Sequence, residues 1–314
     1  MSIIITEMKH EINEVKTRRL RQKTADAVSS AAVWAILCEA AVTPKPGLVD
    51  RANSGSHSDM DFLTLINSAL ALLPWFRDCA LSGFDSGSEG ELKCGPAALF
   101  EALRPRGKKA EVQMKKASGG VNTHRGYIFS LGILCAALGR LCGRKEKPDL
   151  EGLISFSKSM VINIVNDFSG SHEKKIVSHG ETVYAQTGIQ GIRGEVSRGF
   201  PSITEHALPL LTRLLKQGYS MNDAGVMVLL TLMAHAQDTN IIYRGGVDAF
   251  RSIQEELRAF LNPPPDMEAV MEKAAFMDRE FILKNLSPGG CADLLGITFF
   301  LWRIFTAKFY KSDI

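Results

Sequence analysis

The chain has 314 residues, 45% of them hydrophobic and 23% charged, with a formal net charge of +3. That length and apolar share suit one large domain or two small ones with a real core. The charge is too mild for nucleic-acid binding, and local basic clusters fit a small anionic ligand better. Six cysteines (Cys38, Cys79, Cys94, Cys135, Cys142, Cys291) form no CxxC pair. They read as buried reduced thiols, with no zinc site. The short apolar run Ile3 to Ile5 is followed by acidic residues, and no uncharged apolar run reaches membrane-spanning length, so no signal peptide, no membrane association and a cytoplasmic location are expected.

Residues 1–23 are polar and rich in both charges, and read as an extension, a frayed helix or a tail, ahead of a domain over 24–314. Helical periodicity then dominates. It predicts helices over Ala25–Ala41, Asp59–Ala80, Pro96–Leu103, Ala110–Ala117, Arg125–Leu141 and Leu150–Phe168. Further helices are predicted over Ile203–Gln217, Asp223–Ala236, Val247–Leu261, Met267–Leu283 and Ala292–Lys308. Breaks are expected at Ser82–Glu91, Arg104–Lys108, Gly143–Pro148, Gly188–Pro201 and Asn262–Pro265. Strand-type alternation is nearly absent. The expected fold is all-α, a single multi-helix domain whose site is built from glycine-rich helix junctions. The last apolar helix, Ala292 to Phe305, offers a possible homodimer face.

The segment Thr43-Pro44-Lys45-Pro46-Gly47-Leu48-Val49-Asp50-Arg51 combines two prolines, a glycine, two cations and a carboxylate in one turn. A polyanion site can use all of them; a plain connector needs few. Other polar junctions follow: Asn53 to Asp61 with His57, Gly119 to Gly126 with Asn122, Thr123, His124 and Arg125, and Gly188 to Glu195 with Arg193. Asp238-Thr239-Asn240 with Arg244-Gly245-Gly246, and Ser287-Pro288-Gly289-Gly290-Cys291-Ala292-Asp293, complete the set. Helix starts carry free N–H groups and the positive dipole end, which favour phosphate oxygens. Ser287 followed by Pro288 also has the form of an ordinary cap. Asp59 and Asp61 are read equally as helix-capping carboxylates and as site residues. Asp238 ends a very apolar helix and is expected to be buried beside a cation or metal. His57 and His124 lie inside glycine-rich junctions and are better candidates than His10, His172, His179, His206 or His235. Glu39 is either a buried carboxylate facing the site or part of a solvated helix face.

These motifs, in order over about residues 25 to 305, resemble the triphosphoribosyl-dephospho-CoA synthases. Arg125 stands where Lys is expected, Cys291 where Ser is expected and Gln237 where Gly is common. The resemblance implies that ATP and 3′-dephospho-CoA give 2′-(5″-triphosphoribosyl)-3′-dephospho-CoA and adenine. It implies that the product is the prosthetic-group precursor of the citrate lyase or malonate decarboxylase carrier protein, passed on to a carrier-protein transferase. The triphosphate is retained, in keeping with the absence of GxxxxGK[ST]. Under that reading Lys45, Arg51, Asn122, Thr123, Arg125, Arg193, Asn240, Arg244, Ser287, Gly289 and Gly290 bind phosphate or nucleotide. Mg²⁺ comes with ATP and is held by Asp238, with Asp50 or Asp293. Glu39 or Glu195 is the base on the 2′-hydroxyl, and His124 or His57 the acid for adenine. The rival readings are an Mg-dependent N-glycosidase, since Asp238-Thr239-Asn240 is similar to the Asp-Thr-Asp motif of ADP-ribosylglycohydrolases, and a non-catalytic nucleotide or CoA-binding partner.

Overall fold

The computed structural model describes residues 13–88, 95–164 and 179–306, together with the backbone of 2–12. Cys94, His172 and the side chain of His10 lie outside the described residues, as do the far ends of the break reaching Glu91 and of the helices reaching Phe168 and Lys308. Among the described residues the chain is helical, with no strand. The helices are α1 (Ser2–Ala41), α2 (Phe62–Ala71), α3 (Leu73–Gly87), α4 (Pro96–Ala117), α5 (Arg125–Gly143), α6 (Leu150–Met160) and α7 (His179–Thr187). They continue with α8 (Gly191–Arg198), a π-helical turn (Ser202–Ala207), α9 (Leu208–Lys216), α10 (Met221–His235), α11 (Thr239–Phe260), α12 (Met267–Leu283) and α13 (Gly289–Phe305).

Local chemistry sets most of the boundaries. Asp61 and Thr64 form a reciprocal capping box at the start of α2. Asp149, Ser220, Asp238 and Asp266 each accept backbone N–H groups at the starts of α6, α10, α11 and α12. The helix expected over Asp59–Ala80 divides at Leu72, because Pro74 sits at the start of α3, where its missing N–H costs nothing. The two short helices expected on either side of Arg104–Lys108 are one helix, α4, with Pro105 inside it. The break expected over Gly188–Pro201 contains α8, closed by Gly199 in the left-handed region. α11 takes in the Arg244-Gly245-Gly246 junction, with a kink at Gly246 (φ 83°, ψ 171°).

α3 and α5 make the closest helix pair, and glycine is the reason. A Cβ on Gly83 would lie 1.9 Å from the Ala136 carbonyl oxygen, and one on Gly139 would lie 2.1 Å from that of Ala80. Gly87 and Gly143 repeat the pattern one turn on, against Arg140 and Phe84. The two helices therefore run parallel, backbone against backbone, on facing G-x-x-x-G spacings. Trp75 closes the same seam by donating its indole N–H to the Ile128 carbonyl at 3.0 Å. Asn13–Ala41 and Arg125–Gly143 are long and apolar enough to cross a membrane by length and composition, yet most of each is buried among the other helices. The dimer face expected on α13 is not available: Leu295, Ile297, Phe299, Phe300 and Leu301 are fully enclosed by the chain's own core.

The extension read over 1–23 is continuous with α1 in backbone. Arg21 forms a bidentate pair with Asp85 of α3, at 2.5 and 2.6 Å. The α3–α5 seam makes a direct prediction for urea denaturation. Gly83→Ala must separate two backbones and should destabilise by about 3 kcal/mol or more. Gly107→Ala meets only ordinary contact, with Trp75 at 3.5 Å, and should be neutral or slightly stabilising.

Candidate active site

A cavity of about 650 Å³ opens where the polar junctions meet, within the size range of small-molecule sites. One wall is polar. Lys45 and His57 come from the segment after α1, Asn122 to Arg125 from the start of α5, Arg193 from α8, Asn240 and Arg244 from α11, and Ser287, Gly289 and Asp293 from the start of α13. Apolar residues also line the cavity, with Trp75, Leu103, Ile128, Phe129 and Ile133 from α3, α4 and α5, and Lys108 and Glu111 of α4 stand among them.

The segment Thr43 to His57 is a knot fastened to three other elements. The Thr43 N–H donates to Asn222 Oδ1 at 2.9 Å, and Asn222 Nδ2 donates back to the Thr43 carbonyl at 2.8 Å. Asp278 accepts the Gly47 N–H and Asn53 Nδ2, both at 2.9 Å. Ser56 donates to the Leu286 carbonyl at 2.6 Å. Gly47 has φ 63°, and a Cβ there would lie 2.2 Å from the Leu286 oxygen, so only glycine fits this approach. Asp50 accepts three backbone N–H groups, from Lys45, Ala52 and Asn53. It lies outside the cavity wall, and its role is to hold the turn. Arg51 is exposed and donates to Thr43 Oγ1 and Asn222 Oδ1, also outside the cavity. The phosphate-holding role expected of Arg51 and the metal role expected of Asp50 therefore lack geometric support.

Lys45 is 1% exposed, and its ammonium donates to Glu39 Oε1 at 2.5 Å and to the Glu39 carbonyl at 3.0 Å. Glu39 is thus buried and site-facing, not part of a solvated helix face. Burial pushes its carboxyl up, and the Lys45 charge and the Tyr127 hydroxyl pull against that. Both partners line the cavity, but the lysine charge is matched by Glu39. This corrects the expectation that Lys45 is a phosphate clamp.

The two favoured histidines both line the cavity. His124 is 3% exposed, with Nδ1 2.8 Å from Ser68 Oγ. Its Nε2 is buried without a hydrogen-bond partner among the described residues. Burial first, and the Lys45 charge second, push its pKa down to about 3. His57 Nε2 lies 2.9 Å from Ser287 Oγ. Burial and then Arg244 push it down to about 4, with Asp59 at 3.9 Å acting the other way. Both rings are neutral near pH 7, which counts against either as the acid for adenine. His179, expected to be solvated, lines the cavity and stacks on Tyr243 at 3.8 Å.

The carboxylates divide by position. Glu195 accepts the Ser202 N–H and hydroxyl, at 3.2 and 2.8 Å, and caps the π-helical turn away from the cavity. The base role expected of it has no access to a ligand there. Asp238 is buried as expected, but its partners are the N–H groups of Asn240, Ile241 and Cys291 at the starts of α11 and α13. Gly290 packs beside this carboxylate and not on the cavity. Asp293 does line the cavity. Its carboxyl has no hydrogen bond to another described residue, and burial, then Glu39, then Asp238, raise it well above the carboxylate range. Among the described residues, no three of His, Cys, Asp and Glu gather as a metal cluster; Asp238 and Asp293 are near enough to interact electrostatically, while Asp50 lies outside the cavity lining.

The cations are partly matched. Arg125 pairs with Glu111 at 3.0 Å and Arg193 with Glu181 at 3.3 Å. Arg244 donates through Nη1 to the Ser56 carbonyl and to Asn285. Lys108, which sequence reasoning missed, lines the cavity without an ion pair among the described residues. Ser68 and Tyr127 were missed as well. Each is one polar residue on an apolar helical face, a weak but readable signal.

The family model of the ATP:dephospho-CoA triphosphoribosyl transferases matches residues 25–309. A 2-(5″-triphosphoribosyl)-3′-dephosphocoenzyme-A synthase from Pectobacterium atrosepticum is 39% identical over 273 residues, 86% of this chain and 86% of its own length. The synthase of the same name from Klebsiella pneumoniae is 36% identical over 295 residues, 92% of this chain and 95% of its own. A probable synthase from Streptococcus pyogenes serotype M49 is 35% identical over 285 residues, 87% and 95%. No solved structure matches. The order and span of the resemblance read from the motifs agree with these matches, and the chain belongs to the ATP:dephospho-CoA triphosphoribosyl transferase family.

Proposed function

We propose that this chain transfers the 5-triphosphoribosyl group of MgATP to the 2′-hydroxyl of 3′-dephospho-CoA, releasing adenine. The observation that carries the reading is the family match over residues 25–309, together with a cavity walled by the matching motifs. The product, 2′-(5″-triphosphoribosyl)-3′-dephospho-CoA, serves as the prosthetic-group precursor of a citrate lyase or malonate decarboxylase carrier protein. A carrier-protein transferase consumes it, in the cytoplasm where both nucleotide substrates are made.

The residues on the cavity wall support a division of labour. Gly289 at the start of α13, with Ser287, Asn240 and Arg244 beside it, offers backbone N–H groups, a helix dipole and a cation to the triphosphate. Lys108 and Arg125 offer positive charge from the α4–α5 side for the second anionic substrate. Mg²⁺ enters as part of MgATP, held by phosphate oxygens and water, since the expected protein donors Asp50 and Asp238 are occupied by backbone N–H groups. Of the two glutamates expected as base, Glu39 faces the cavity, and burial makes its carboxylate more basic.

Incubation of the protein with MgATP and dephospho-CoA should give one adenine per triphosphoribosyl adduct by mass spectrometry. Fast adenine release from ATP alone would replace this reading with an N-glycosidase. Arg244→Gln should raise the KM for ATP by about tenfold to a hundredfold with little change in fold, as expected for losing one charge-assisted phosphate contact. The depressed histidines make a further prediction. His57→Asn and His124→Asn should keep every apparent pKa of the pH–rate profile between about pH 5.5 and 8, because neither wild-type ring gains its proton until the pH falls to about 4 and 3. Loss of an apparent pKa in that window would make the histidine a proton carrier after all.

A further inference from the structure

We propose that Asp293 is the residue that gives the departing adenine its proton, an inference that rests on the transferase reading. The geometry singles it out. Among the carboxyl groups in and around the polar junctions, Asp50, Asp238, Asp278 and Glu195 are held by backbone N–H groups, Asp61 is held in a helix cap, and Asp59 is solvent-exposed beside His57. Glu39 is held by Lys45. Asp293 lines the cavity, in the second turn of α13, with no hydrogen bond to another described residue. Its position is fixed by shape: Oδ2 lies against the bare Cα of Gly126, so close that a Cβ there would be 1.7 Å away. Gly126 belongs to the first turn of α5, next to Arg125 and His124 on the same wall.

The surroundings favour the protonated form. Glu39 from α1 and Asp238 before α11 both disfavour a third negative charge, as does burial. Tyr127 of α5 and Cys291 of α13 also feel the Asp293 charge and are themselves held protonated, so neither competes as a nearby anion. A cavity-facing carboxyl with no competing partner, pushed toward its protonated form, is suited to act as a general acid. The bonds balance without another reagent. The C1′–N9 bond breaks with its electron pair on adenine, and adenine takes a proton from Asp293 at a ring nitrogen. The 2′-oxygen bonds to C1′ and releases its own proton to the base, from which the carboxyl is reprotonated through solvent. One proton leaves the hydroxyl and one reaches adenine.

The test compares donors whose bases need the proton to different degrees. Asp293→Asn should lower kcat with ATP by about 10²- to 10⁴-fold, with the KM for ATP within about threefold and unchanged helicity. With 2-fluoro-ATP and 6-chloropurine riboside 5′-triphosphate, whose bases leave more readily, the Asp293→Asn deficit should shrink by at least about tenfold. Gly126→Ala, which displaces the same carboxyl, should show the same donor dependence and add little to Asp293→Asn in the double variant. An equal deficit on all donors overturns the proposal in favour of a structural role. A raised Mg²⁺ requirement in Asp293→Asn overturns it in favour of metal binding. Failure of the wild-type protein to form the adduct would instead overturn the transferase reading beneath it.

Discussion

The buried pair of Glu39 and Lys45 is the interaction on which the site is built. Two opposite charges are enclosed at the end of α1, where desolvation alone would forbid either one. The pair is possible because the Thr43–Arg51 turn is held by others. Asp50 ties it from within, Asp278 and Asn222 from α12 and α10, and Leu286 from the loop before α13. Each tie brings another junction to the same place. The wall that results is positioned by carboxylates and amides bonded to backbone, and several of the charged groups lining the cavity are already paired with one another.

Burial then decides what those few groups can do. Enclosure beside Lys45 strips His124 of its proton, and enclosure near Arg244 does the same to His57. The same surroundings, with Glu39 nearby, push the Asp293 carboxyl up, toward its protonated form. A site for retained triphosphate needs anion-binding dipoles and a proton source for adenine, and no water-activating centre. The start of α13 places Gly289 and Asp293 on the cavity wall within five residues. Apolar side chains of α3, α4 and α5 line part of the cavity, and the G-x-x-x-G contact holds α3 and α5 backbone against backbone.

Much of this was legible in the sequence. The helical periodicity fixed the all-α class, and the glycine-rich junctions that line the cavity carried the family motifs in order. The boundaries failed where local signals compete: Pro74 starts a helix, Pro105 sits inside one, and Gly188–Pro201 hides α8. The partners of the charged residues were hidden for a different reason. Lys45, Asp50, Arg51, Glu195 and Asp238 have the right chemistry for a polyanion or metal site, but in the fold Lys45 meets Glu39 six residues back, Arg51 meets Asn222 far along the chain, and the three carboxylates accept backbone N–H groups. Sequence shows that a charge is present and cannot show whether it is already matched. In the sequence Asp293 is one carboxylate among several, because its lack of a hydrogen-bond partner among the described residues and its contact with Gly126 exist only in three dimensions.

The central claim is that Lys45 holds the wall through Glu39 and does not hold ATP. A double-mutant cycle with Lys45→Met and Glu39→Gln, read by urea unfolding and by calorimetric binding of MgATP, tests it most directly. Each single change should cost about 3–5 kcal/mol of stability by leaving its partner buried and unmatched. The double variant should recover much of that loss and bind MgATP within a few-fold of the wild-type protein. A Lys45→Met protein of near-normal stability that binds MgATP a hundredfold more weakly would contradict the claim.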